Sequence, residues 1–181
     1  MLNFLKKRSY DVVVMYITQI AISIFGLALS FAVPAGQTKL NVAASVMAIA
    51  FYLFLIYSKL WELGYKDINA LARKEKGYSR LEGLYMGLAS GIINLILALL
   101  ILLGWFIENQ AIDAVAGVAV TISLLTEGMY TGLLSLSING VSLNSLGFMY
   151  LLITLPMIIV STLAYMAGTH DFKLLGGSKK K

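Results

Sequence analysis

The sequence predicts an all-α integral membrane protein: a four-helix transmembrane bundle with a broken or re-entrant hydrophobic segment on its outer side. Three observations carry this prediction. Of the 181 residues, 59% are hydrophobic and only 13% charged, against roughly 25% charged in a soluble domain. A charge at the bilayer centre costs at least ~2.5 kcal/mol, so lipid as the solvent accounts for the deficit. Four apolar runs, at about 12–33, 40–60, 83–106 and 147–168, each approach or exceed the ~20 residues that cross a hydrocarbon core. Finally, Lys and Arg gather at the ends of these runs, where they set orientation.

The first run follows Lys6, Lys7 and Arg8 and leads into Val33-Pro34-Ala35. That order imitates a secretory signal. At about 22 residues, however, the run exceeds the ~7–15 of a signal's apolar core, so it is expected to stay as an anchor. Pro34 to Gln37 reads as a turn. The second run opens with small residues (Ala43, Ala44, Ser45, Ala48, Ala50) and ends with Tyr57 and Trp61. Small residues suit a packed helix face, and the aromatics suit the lipid–water interface.

Trp61 to Arg80 is the most polar stretch and reads as a connector, with a short helix starting near Asp67. Its Arg73, Lys74, Lys76 and Arg80 are candidates for contact with anionic head groups or a partner. The plainer reading is an ordinary cytoplasmic loop obeying the positive-inside rule.

The third run is the packing spine. Gly83, Gly87 and Gly91 recur every four residues, and Asn94 and Ala98 extend the same helix face. Small residues at this spacing let a second helix approach closely, either within the chain or from another copy. Asn94, near mid-span, is expected to hydrogen-bond across helices.

Residues 108–146 contain no Lys or Arg. Two apolar pieces, of about 13 and 8 residues, are interrupted at Glu127-Gly128, and each is too short to cross. The expectation is two helical pieces meeting at Glu127-Gly128 rather than one span. An intramembrane carboxylate is a candidate ion or proton site. The plainer alternative has Glu127 facing water at an amphipathic bend. Asn139-Gly140 marks a tight turn. The last run contains Pro156, which neighbouring helices can accommodate.

Chemistry for catalysis is sparse. The chain has no Cys and one His, which is too little for a thiolate or histidine metal site. Phosphate-binding and dinucleotide motifs are lacking, and no Ser stands in a nucleophile-elbow context. No enzyme activity and no cofactor are expected. The net charge of +5 lies in patches flanking the runs, which points to membrane lipid rather than nucleic acid. The leading expectation is a non-enzymatic accessory or scaffold subunit, packing against another membrane protein or itself. A small transporter or channel component for protons, ions or a small solute is the alternative, and a lipid-modifying enzyme a more remote one.

Four spans put Lys6 to Arg8, the basic residues of 59–80 and the lysine tail on one face. The chain is therefore expected in the plasma membrane with both termini cytoplasmic. A single Cys introduced at position 70 or 175 should react with an impermeant reagent only from the cytoplasmic face. Labelling from outside would overturn this topology.

Overall fold

The computed structural model describes residues 2–34, 36–72, 81–170 and 172. Arg73, Lys74, Lys76 and Arg80, together with Asp171 and the lysine tail, lie outside the described residues. Among the described residues the regular structure is α-helical apart from two 3-10 turns and one small hairpin. Its helices are α1 (Leu2–Ala32), α2 (Thr38–Ala72), α3 (Glu82–Phe106), α4 (Gln110–Thr126), α5 (Thr131–Leu134) and α6 (Gly147–Thr169). A single 3-10 turn, Gly128–Tyr130, joins α4 to α5.

Four helices are long and apolar enough to cross a membrane, and the count rises to five if the bent α4–α5 pair is one span. Their outward faces are apolar too. Val13, Ile17 and Ile24 stand exposed on α1, and Ile92, Ile96, Leu99 and Leu103 on α3. In water such faces would be an aggregation liability, whereas lipid matches them.

The four long helices close a ring. α1 packs on α2, α2 on α6, α6 on α3, and α3 on α1. Met15, Tyr52, Ile56, Leu60, Met86 and Tyr165 fill the centre. α4 lies against α1 and α3, while the 3-10 turn and α5 pack on α1 and α2.

Two helices outrun their apolar stretches. α1 begins at Leu2, ten residues before the apolar run. α2 continues to Ala72, so Trp61 to Ala72 is helix and not a connector. The apolar run ends near Leu60, but no residue there breaks a helix. Trp61 stacks on Tyr65 with centroids 5.4 Å apart, and Glu62 pairs with Lys66 at the i,i+4 spacing. Both pairs support continuation.

Close approach by glycine sets the helix spacing. A Cβ on Gly83 would fall 2.6 Å from Tyr165 Cβ and 2.7 Å from the Ser161 carbonyl oxygen. One on Gly87 would fall 3.1 Å from Ile158 Cα. Both glycines face α6 of the same chain. Gly91 is looser, with only Met157 Sδ nearby at 3.9 Å. Ala98 is buried in the core. A second seam, invisible in the glycine spacing of α3, joins α2 to α6. There Gly64 lies against the Tyr165 carbonyl and Gly168 against the Trp61 carbonyl.

The bent segment ends in a two-residue hairpin, Ser137–Ile138 paired with Val141–Ser142. Asn139 (φ 53°) and Gly140 (φ 82°) occupy its turn, the left-handed pair that a tight antiparallel turn requires.

Gly87→Leu should force α3 from α6 at a cost of about 1–3 kcal/mol, lowering the Tm in detergent. Gly91→Ala, with room for its methyl, should leave the Tm nearly unchanged. Equal melting of the two variants would contradict this packing.

Candidate functional site

α4 ends where the chain turns by 88° into the 3-10 turn and α5. Glu127 stands at the corner, with φ −131° and ψ 20°. Its own N–H still bonds the Ser123 carbonyl at 2.7 Å, and its carbonyl accepts from Tyr130 N–H at 2.9 Å. A break inside a lipid-embedded bundle leaves backbone groups that lipid cannot satisfy. Neighbouring helices satisfy them here. Ser23 of α1 donates its hydroxyl to the Thr126 carbonyl at 2.7 Å. Ser45 of α2 accepts from Gly132 N–H at 2.8 Å. Glycine makes both approaches possible: Gly128 comes within contact distance of the Ser23 backbone, and Gly132 abuts the Asn41 carbonyl.

This arrangement turns Glu127 inward. The residue is 3% exposed, which overturns the reading in which it faces water. The bend that would have carried it to the surface is instead packed against α1 and α2. Tyr52 of α2, Tyr130 of the 3-10 turn, Tyr16 of α1 and Tyr150 of α6 lie within its electrostatic reach. Oε2 of Glu127 and the hydroxyls of Tyr52 and Tyr130 have no protein hydrogen-bond partner. Among the described residues, no cation pairs with Glu127; the ion pairs there lie elsewhere.

A second charged site lies far from the first. Arg8 Nε and one terminal nitrogen donate to Glu82 Oε2 at 3.2 and 3.0 Å. The same terminal nitrogen also donates to Asp67 Oδ2. Tyr165 Oη bonds Asp67 Oδ2 at 2.9 Å and lies 3.3 Å from Glu82 Oε2. At its edge, Lys59 pairs with Asp11 at 3.1 Å. One cluster thus ties α1, α2, α3 and α6. All four principal members are buried. In the sequence Arg8 reads as an orientation signal and Asp67 as the start of a short helix within a polar connector. The available clue was the placing of acids at the borders of apolar runs, at Asp11, Asp67 and Glu82.

The separation of the two sites follows from helix geometry. Ser23 stands fifteen residues beyond Arg8, Tyr52 fifteen before Asp67, and Tyr150 fifteen before Tyr165. At 1.5 Å per residue, Glu127 lies about 22 Å along the bundle from the Arg8 cluster.

Asn94 is 1% exposed and its Oδ1 has no protein partner, so that oxygen does not make the interhelical bond expected of it. Among the described residues, no three His, Cys, Asp or Glu side chains gather in a metal-binding group. No family model, curated protein or solved structure matches the chain.

Arg8→Met should strand two buried carboxylates, at a cost of about 3–5 kcal/mol. Adding Asp67→Asn and Glu82→Gln should recover much of the loss, because no unpaired charge then remains. A single variant that melts like the parent protein would refute the structural importance of this cluster.

Proposed function

We propose that the chain is a small membrane transporter or channel component in which Glu127 binds a proton or a small cation. The observation that carries this reading is the Glu127 carboxylate at a helix break, buried, without a cationic partner among the described residues and beside unpartnered tyrosine hydroxyls. Buried charges in membrane segments are costly and typically mark ion pathways or proton relays. Broken helices meeting a charged group inside a bundle are the usual architecture of such sites.

The accessory-subunit reading rests on the glycine stripe of α3. Gly83 and Gly87 face α6 within the chain, so that part of the stripe is taken and offers a partner little. Lipid is the neighbour proposed for the outward faces.

The topology proposed with this function has four spans, α1, α2, α3 and α6. The Arg8 cluster gathers one end of each, as four antiparallel spans with both termini on one side require. The bent α4–α5 segment then enters from the opposite, outer side of the plasma membrane.

Purified protein in liposomes should show an H⁺, Na⁺ or K⁺ flux that Glu127→Gln removes while the Tm is preserved. Identical fluxes of all three ions through a folded Glu127→Gln protein would defeat the proposal.

A further inference from the structure

The interior between the two charged sites is not uniformly apolar. One turn inward from Ser23, Gln19 is 2% exposed and its Oε1 has no protein partner. Asn94 Oδ1 is in the same condition on α3, twelve residues or about 18 Å from Glu82. Ser161 Oγ, on α6 one turn from Tyr165, is buried and unpartnered as well. Buried polar atoms are almost always satisfied, by protein or by ordered water. These three stand on three different walls of the ring, Asn94 and Gln19 at about 18 and 16 Å from the Arg8 cluster and Ser161 at about 6 Å.

Apolar side chains interrupt the descent. Met15 of α1 and Leu60 of α2 each stand seven residues, about 10 Å, from the Arg8 cluster. Met86 of α3 stands four residues from Glu82. All three are fully buried. A constriction of this kind closes a pore to water until it widens.

Resting on the transport reading of Glu127, we propose that the species it binds is the proton. The proton travels to the Asp67–Glu82 end past Gln19, Asn94 and Ser161, and the Met15–Leu60–Met86 layer is the closure on that route. The chemistry of the site favours this species. A metal cation is held by several oxygens at once, commonly carboxylates for Ca²⁺ and rings of carbonyls for K⁺, and among the described residues no second carboxylate joins Glu127 here. A proton needs one oxygen and removes the uncompensated charge outright. Among the described residues, the titratable groups facing Glu127 are the phenols Tyr16, Tyr52, Tyr130 and Tyr150, from α1, α2, the 3-10 turn and α6. All are neutral in their ordinary form, so none replaces the proton as a counter-charge. In the step itself, the O–H bond of Glu127 breaks toward a hydrogen-bonded water. Hydronium carries the charge on, and the carboxylate left behind takes a proton from the other side. No electron is transferred.

Proteoliposomes holding a pH-sensitive dye, driven by an imposed membrane potential, test the idea. Wild type should acidify at a rate unchanged when Na⁺ is replaced by a large organic cation. Glu127→Gln should abolish the flux, and Glu127→Asp should retain part of it, which separates the acid from the fold. Met86→Ser should raise proton flux several-fold while an entrapped uncharged dye stays inside, and adding Glu127→Gln should cancel the increase. Glu127-dependent movement of Na⁺ or K⁺ without protons would overturn this inference and leave the transport reading standing. A complete lack of Glu127-dependent flux, with the variants folded, would overturn both. Met86→Ser flux no faster than wild type would overturn the closure.

Discussion

The Arg8 guanidinium, held between the Asp67 and Glu82 carboxylates, fixes the axial register of the ring. It lies near one end of α1 and reaches the end of α2 and the start of α3, while Tyr165 brings in α6. Slide α1, α2 or α3 by a turn, about 5.4 Å, and a buried charge loses an ionic partner. Hydrophobic packing alone is tolerant of such slippage, because lipid is as apolar as the side chains it would replace. A buried ion pair adds little net stability compared with an apolar substitute, but it discriminates sharply between correct and shifted arrangements. Every other close fit in the bundle presupposes that register.

The glycine seams are the first of these. Gly83 and Gly87 against α6, and the reciprocal Gly64 and Gly168 between α2 and α6, place one backbone directly on another. Such contacts are productive only when each glycine meets the intended turn of its neighbour. The helix break depends on the same alignment. Ser23 and Ser45 satisfy backbone groups of the bent segment only because α1 and α2 present them at its height. Gly26, Gly128 and Gly132 let the segment come near enough to be reached.

The two acidic sites differ in the one respect that matters for function. Near the helix ends, Asp67 and Glu82 share one cation and a phenol, so each carboxylate has a charged partner. About 22 Å away, Glu127 has phenols within its electrostatic reach and, among the described residues, no cation beside it. Carboxylates that share a cation build structure. An uncompensated carboxylate in a low-dielectric interior has a strong thermodynamic reason to exchange its charge for a bound proton or cation.

Local chemistry made much of this legible in the sequence. Apolar runs long enough to cross lipid announce the four long helices, because hydrophobic length is a property of contiguous residues. The interruption at Glu127-Gly128 and the turn at Asn139-Gly140 are likewise local, since a charge, a glycine and a left-handed pair act on their own few residues. The continuation of α2 to Ala72 was missed because falling hydropathy was read as the end of the helix, although polar residues prolong one readily at the membrane edge. The pairing of Arg8 with Asp67 and Glu82 spans 59 and 74 residues, and no periodicity links them. Likewise the direction in which Glu127 points depends on α1 and α2 closing over the bend. A sequence records which groups need partners, but only the tertiary packing decides which of them meet, because that is set by which helix ends and faces come together in space.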